Sequence, residues 1–224
     1  MTFSRSLFKT LAVVLALALP TALTISSADA RAGGGFSSGS RGSRTYSAPP
    51  STTTAPGSTS QFNRTYTQPG AGMNSAAAAP ARGGLFGRAG GFMGGLAAGF
   101  LGAGLLGEVQ AAWSNEDVAK LHTLATPEMV SYFEQDLTQN RARNVVNKVT
   151  NVKLLQGDLA EAWREGETDY ATVALRFALT DKTLDRNTGA VVAGSEQPGE
   201  ATEIWTFARR PGAGWELSAI QQTN

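Results

Sequence analysis

Between Val152 and Leu179 the chain reads VKLLQGDLAEAWREGETDYATVALRFAL, and its second half alternates apolar with polar positions. Ala171, Val173, Leu175, Phe177 and Leu179 fall on one parity, and Tyr170, Thr172, Arg176 and Thr180 on the other. A period of two marks a strand with one buried face. The first half carries Leu155, Leu159 and Trp163 at compatible parity, and Glu165-Gly166-Glu167 is a polar turn, so the stretch predicts a long hairpin. Two further strands are expected, Glu200 to Arg209 and Trp215 to Gln222, joined by the tight link Pro211-Gly212-Ala213-Gly214. Trp205 and Phe207 share a face of the first, and Trp215, Leu217 and Ala219 share a face of the second. Asp185-Arg186-Asn187-Thr188-Gly189 is a turn in the longer connection before them.

Helical signals precede the strands. EVQAAW ends a first helix at Trp113, and Ser114 with Asp117 three residues on resembles a capping box for a second, short helix. Val118, Leu121 and Leu124 line one face of it. Thr126-Pro127-Glu128 places a cap, a proline at the first position and an acid in the first turn of a third helix. Its apolar face is Met129, Val130, Tyr132, Phe133 and Leu137, and the pattern fades by Arg143. Helices followed by antiparallel strands predict an α+β fold, with N-terminal helices packed on a curved four-stranded antiparallel sheet and a concave apolar pocket between them.

Upstream the pattern changes. Residues 1–30 read as an export signal, with Arg5 and Lys9 before the apolar run LAVVLALAL, then Pro20, and Ala28-Asp29-Ala30 at the cleavage spacing. The mature chain would then start near Arg31. Residues 31–82 are low in branched apolar residues and rich in Gly, Ser, Thr and Pro, and so predict a disordered linker, leaving the N-terminal half largely disordered. Residues 83–107 are glycine-rich and apolar. Gly87, Gly91, Gly95 and Gly99 recur every fourth residue, continued by Ala103 and Gly107, which on a helix forms the groove by which membrane helices pack closely. This is a candidate membrane segment and a candidate surface for homo-oligomers. Residues 108–224 form the folded domain.

Composition narrows the chemistry. The formal net charge of +1 makes no case for nucleic acid, and the absence of cysteine excludes disulfides, cysteine-containing zinc sites and thiol catalysis. His122 is the only histidine, which excludes multi-histidine metal sites and a histidine-based triad. Before Glu108 the only acid is Asp29, whereas Arg31, Arg41, Arg44, Arg64, Arg82 and Arg88 are basic, an asymmetry that suits anionic lipid or acidic partners.

The cadence AAWSNEDVAKLHTLATPEMVSYF and the helix–helix–helix–strands order resemble the cone-shaped fold of nuclear transport factor 2-like domains. More specifically, LLGEVQAAW, VVNKVTNVKLLQGDLAEAWREG, DYATVALRF, TEIWTFARRP and WELSAIQQ resemble a bacterial Tim44-like domain. In the family pattern a clearer transmembrane helix, a linker and an additional helix precede the position of Gly107; here AGLLG runs directly into EVQAAW. The resemblance implies a membrane-associated binding or scaffold module, accessory to protein transport or inner-membrane assembly, with no cofactor and no enzymatic activity. The family's mitochondrial namesake tethers the import motor at the inner-membrane translocase, and its C-terminal domain associates with lipid. Partners would be membrane lipid, a hydrophobic ligand or a membrane protein, and the location a bacterial inner membrane or periplasm. Two other readings compete: an isomerase- or dehydratase-type enzyme in the same cone, and a self-associating structural protein of the cell envelope.

Candidate pocket-lining residues are Trp113, Tyr132, Phe133, Trp163, Phe177, Trp205 and Phe207, and the candidate membrane face is Gly91, Gly95, Gly99 and Ala103. Asp158, Glu161 and Glu203 lie on expected strands, where a desolvated carboxylate could serve as a general base. Parity points Asp158 away from the apolar face and Glu161 toward it. An enzyme would need such a carboxylate within hydrogen-bond reach of a tyrosine inside the pocket. Arg176, Arg209 and Arg210 are candidates for lipid phosphate or a protein acid.

Overall fold

The alternation at 170–179 does form a strand, and it is the middle of the sheet. A computed structural model describes residues 30–69 and 104–224. The elements are a two-residue strand β1 (Ser38–Gly39), helices α1 (Leu106–Ser114), α2 (Val118–Leu124) and α3 (Pro127–Ala142), and strands β2 (Val145–Glu165), β3 (Thr168–Asp185), β4 (Val191–Gly194), β5 (Gly199–Arg209) and β6 (Trp215–Gln222). The sheet is antiparallel, ordered β1-β6-β5-β3-β2, with β4 paired to the far end of β3. It has six strands where four were expected. The two additional ones are short, too short for an alternation to register: β4 follows the 185–189 turn, and β1 comes from the stretch read as linker.

The helix signals map closely. Thr126 caps α3 by accepting from the Met129 amide, with Pro127 at the first position, and Met129, Val130, Tyr132, Phe133 and Leu137 are all buried. The cap of α2 is Asp117, which accepts from the Lys120 amide at 2.9 Å. Ser114 closes α1 instead, and its hydroxyl bonds both the amide and the carbonyl of Val149. Helix α1 begins at Leu106, itself fully buried, so the domain starts slightly before residue 108.

The three helices lie on one face of the sheet. There Trp113, Leu121, Met129, Phe133, Leu137, Leu175, Phe177, Trp205, Phe207 and Leu217 form one contiguous core. Strand β2 has 21 residues against 18 in β3, and three single-residue irregularities absorb the difference, at Thr150/Lys153, Leu154/Gln156 and Leu159/Glu161. A bulge bends its strand and increases local twist, which curves the sheet around the helices. Each bulge also inverts side-chain parity beyond it. Leu155 is displaced to the surface, and Leu154 takes the place opposite Phe177. Glu161 pairs with Thr172 and Trp163 with Tyr170, on the face away from the helices. A further shift between Thr206 and Phe207 puts Ala219 opposite Thr206, so it parts company with Trp215 and Leu217.

Residues 30–69 narrow the expectation of a disordered linker over 31–82. They run as a strap along the mouth, edge and outer face of the sheet, contributing β1 to the edge of β6. Gly39 meets β6 so closely that a Cβ there would collide with the Ser218 carbonyl, and its φ of +103° is one that glycine tolerates. Residues 70–82, the signal region before residue 30, and Gly91, Gly95, Gly99 and Ala103 lie outside the described residues.

Candidate functional site

The carboxylates that could have acted as bases all meet the strap. Asp158 accepts from the backbone amide and hydroxyl of Thr54, at 2.7 and 2.8 Å. Glu161 is held by the guanidinium groups of Arg41 and Arg44, one on each oxygen. Glu203 is fully buried on the helix-facing side and pairs with Arg31 at 2.9 Å. Arg64 forks onto both oxygens of Asp136 at 2.7 and 2.9 Å. Arg31, Arg41, Arg44 and Arg64, the arginines of the basic N-terminal half among the described residues, therefore find their acidic partners within the chain's own domain; Arg82 and Arg88 lie outside the described residues.

These contacts make two different environments. On the outer face Arg41 is fully buried, lies over the Trp163 ring and donates to the Ser47 carbonyl. Burial pulls its pKa below the ordinary arginine value, opposed by the Glu161 charge. Trp163 stacks on Tyr170 at 5.0 Å between ring centroids, and Arg44 covers it from the other side. Ala55 packs onto Ala174 and Ile204, and the hydroxyls of Thr172 and Thr206 bond each other beneath the strap.

At the mouth of the concave face the contacts form a continuous polar chain. The Trp113 indole donates to Asn147, at 2.8 Å, and Asn147 donates to Asp181, at 2.7 Å. Asp181 also accepts from the backbone amides of Ala30 and Arg31 at 3.2 and 3.1 Å. The Arg31 guanidinium reaches Glu203, whose other oxygen accepts from the Trp205 indole at 2.8 Å. Burial raises the Asp181 pKa, and its hydrogen bonds from Asn147 and Arg31 oppose the rise. Beside this chain lies an open cleft of about 390 Å³ bordered by Ala30, Arg31, Phe36, Trp113, Asp136 and Arg143.

Of the side chains expected to line a pocket, Trp113, Tyr132, Phe133, Phe177, Trp205 and Phe207 belong to the helix-facing core, and only Trp113 also borders the cleft. Trp163 lies on the opposite face. Tyr132 does donate to a carboxylate, Glu128, at 3.2 Å, but this joins consecutive turns of α3 beneath Tyr66 and Arg64. Burial, then the Glu128 charge, raises the Tyr132 pKa. His122 is 55 % exposed near Glu134.

A second cleft, also about 390 Å³, lies at the hairpin ends between the β2–β3 and β5–β6 turns. Its arginines are answered by acids: Arg164 and Arg209 both bind Asp169, and Arg210 binds Glu216. The Arg164 hydrogen bond, supported by Arg209, lowers the Asp169 pKa. Arg176 pairs with Glu200. The tip is charge-balanced rather than basic. No group of three or more potential metal-binding His, Cys, Asp or Glu occurs among the described residues.

Helices stacked on one face of a bent antiparallel sheet, with tryptophans in the interior, define an α+β architecture. Residues 103–222 match the Tim44-like domain family, and the chain belongs to that family. Among solved structures, the intermembrane space region of the chloroplast protein ARC6 is similar, at 11 % identity and a TM-score of 0.37, over 54 % of this chain and 92 % of that one. No curated protein matches the chain.

Proposed function

We propose that this protein is a membrane-associated binding module of the Tim44-like type, acting as a scaffold through its surface rather than as an enzyme. The observation that carries this reading is the filled concave face. Trp205, Phe207, Phe177 and Phe133 are each at most 1 % exposed, and Arg31 closes the mouth above them. A cone-shaped enzyme of the isomerase type would keep that volume for substrate, with a carboxylate free to take a proton. Here the strand carboxylates Asp158, Glu161 and Glu203 are occupied by strap residues. Among the described residues the large exposed aromatic side chains lie on the strap, Phe36 at 54 %, Tyr46 at 50 % and Tyr66 at 68 %, and these are the groups a protein partner would bury.

Membrane attachment is assigned to residues 83–103. Among the described residues no helix is long and apolar enough to cross a membrane. With the arginines at the hairpin tip already paired to acids, the glycine-rich stretch is the better candidate. Attachment to a bacterial inner membrane, with the domain serving protein transport or assembly there, is the function that this arrangement and the family suit best. Fractionation with a carbonate wash tests it, comparing the full chain with a deletion of 85–103 that spares the buried Leu106. The full chain should stay with the membrane and the deletion should become soluble while remaining folded. If both wash off, the membrane segment is lost from the reading; if the deletion abolishes only oligomers, the self-associating envelope protein takes its place.

A further inference from the structure

The bond expected to be cut during export is also where the strap enters the domain. Ala28-Asp29-Ala30 places cleavage between Ala30 and Arg31. Arg31 is only 7 % exposed, and its backbone nitrogen lies 3.1 Å from Oδ2 of Asp181. Its guanidinium is committed to Glu203, and Ala32, one residue on, is fully buried with its amide and carbonyl both bonded to the Gln110 side chain. Such a register leaves the Arg31 nitrogen no freedom to sit elsewhere.

We propose that the processed N-terminus is a structural ligand of the domain: hydrolysis of the Ala30–Arg31 bond creates an α-ammonium on Arg31 that docks on Asp181 and locks the strap across the concave face. In the cleavage, water adds across the amide. The carbonyl carbon of Ala30 takes the hydroxyl and leaves as a carboxylate, and the Arg31 nitrogen retains its hydrogen and gains two protons, one from water and one from the new acid.

Charge balance favours the product. Two carboxylates, Asp181 and Glu203, face the single guanidinium of Arg31 within this contact chain. In an uncleaved chain Asp181 receives amide hydrogen bonds and shares the Arg31 charge with Glu203, and burying two carboxylates against one cation is costly. The ammonium supplies the missing positive charge at the position the amide nitrogen already occupies. The groups facing Asp181 are the Asn147 side chain from β2 and Ala30 and Arg31 from the strap, with Glu203 of β5 behind Arg31; cleavage removes the Ala30 hydrogen bond and puts the ammonium in its place. Burial raises the Asp181 pKa, consistent with a site short of positive charge. The cleft bordered by Ala30 and Arg31 gives the departing segment a route to solvent.

The test uses the full chain exported to a bacterial periplasm. Mass spectrometry should find Arg31 as its first residue. Its α-amino group should react with an acylating reagent at neutral pH about tenfold more slowly than that of a peptide beginning RAGGG, since each unit of raised pKa lowers the reactive fraction by that factor. Protection should vanish in urea and in Asp181→Asn; should that variant not fold, the urea comparison on the native chain decides. A chain with Ala30 retained should melt at a lower temperature than one beginning at Arg31. A first residue elsewhere, labelling of the folded protein at the peptide rate, or equal melting of the two chains would overturn the proposal.

Discussion

The two faces of this sheet are covered by different physics. The helix-facing side is sealed by large apolar side chains, with Leu121, Met129 and Phe133 of the helices meeting Phe177, Trp205 and Phe207. The outer side is sealed by a strap without Val, Ile or Leu, whose Ala55 forms a small apolar cluster with Ala174 and Ile204. What holds the strap there is charge and hydrogen bonding: Arg41 and Arg44 on Glu161, Thr54 on Asp158, and, at the edge, the carbonyl–amide pairs of β1 with β6. A segment of disorder-like composition can thus be ordered when the surface it lies on supplies the partners. Conformational entropy is then offset by desolvated, charge-assisted contacts rather than by area of apolar burial.

The two covers can be disrupted separately. Phe207→Ala on the helix-facing side should have the largest effect, a loss of about 3–5 kcal/mol in urea unfolding, because it leaves a cavity in a close-packed core. Arg41→Ala should cost less, about 1–3 kcal/mol, since Glu161 keeps Arg44. Its signature would be separable: trypsin should cut after Arg44 early, while the domain still unfolds as one unit. If Arg41→Ala destabilises the whole domain as much as Phe207→Ala, the outer cover is as integral as the core. Arg64→Ala breaks a partly exposed fork with Asp136 and should cost about 1 kcal/mol, with faster proteolysis of 60–69 and a greater sensitivity of the native strap to high salt.

The smallest effect concerns pH. Asp169 has its folded pKa lowered by Arg164 and Arg209, so its stabilising contribution is present above the ordinary aspartate pKa and is lost as pH falls through the folded value. Asp181 has the opposite sign. Its raised folded pKa adds stability at low pH, and this is lost as pH rises through that value. Asp169→Asn should therefore flatten the acid limb of the stability curve, and Asp181→Asn should steepen it in a chain that retains Ala30. Thermal midpoints measured across the acid range would show both.

Much of the domain was legible along the chain. The Thr126-Pro127-Glu128 start, the apolar face of α3, the hairpin turn at Gly166 and the limits of β6 follow from local chemistry, and local chemistry is what a sequence displays. Parity within β3 was also legible, since that strand runs unbroken against β5. Parity in β2 was not. The expected partnership of Leu155, Leu159 and Trp163 fails because bulges intervene, and no residue type announces a bulge. The positive φ of Asn151 (55°) at the first irregularity and Gly157 just after the second are the local traces, and a lone asparagine or glycine in a strand is weak warning. Glu161 moved faces for the same reason, which carried it from a candidate base in the apolar interior to the partner of two arginines.

The site depended still more on distance. Arg31 and Glu203 are 172 positions apart, and Arg41 and Glu161 are 120 apart. Readable along the chain were the three helices and the four long strands, the apolar faces of the helices, the exclusion of cysteine and multi-histidine chemistry, and the imbalance of charge between the two halves. That Arg31, Arg41, Arg44 and Arg64 meet acids of the same domain emerged only with the folded sheet. Periodicity reports how one element will turn toward a core, because burial acts on each residue in its own strand or helix. Ion pairs between remote segments have no period, and which arginine meets which acid is settled only when the folded sheet brings them within reach.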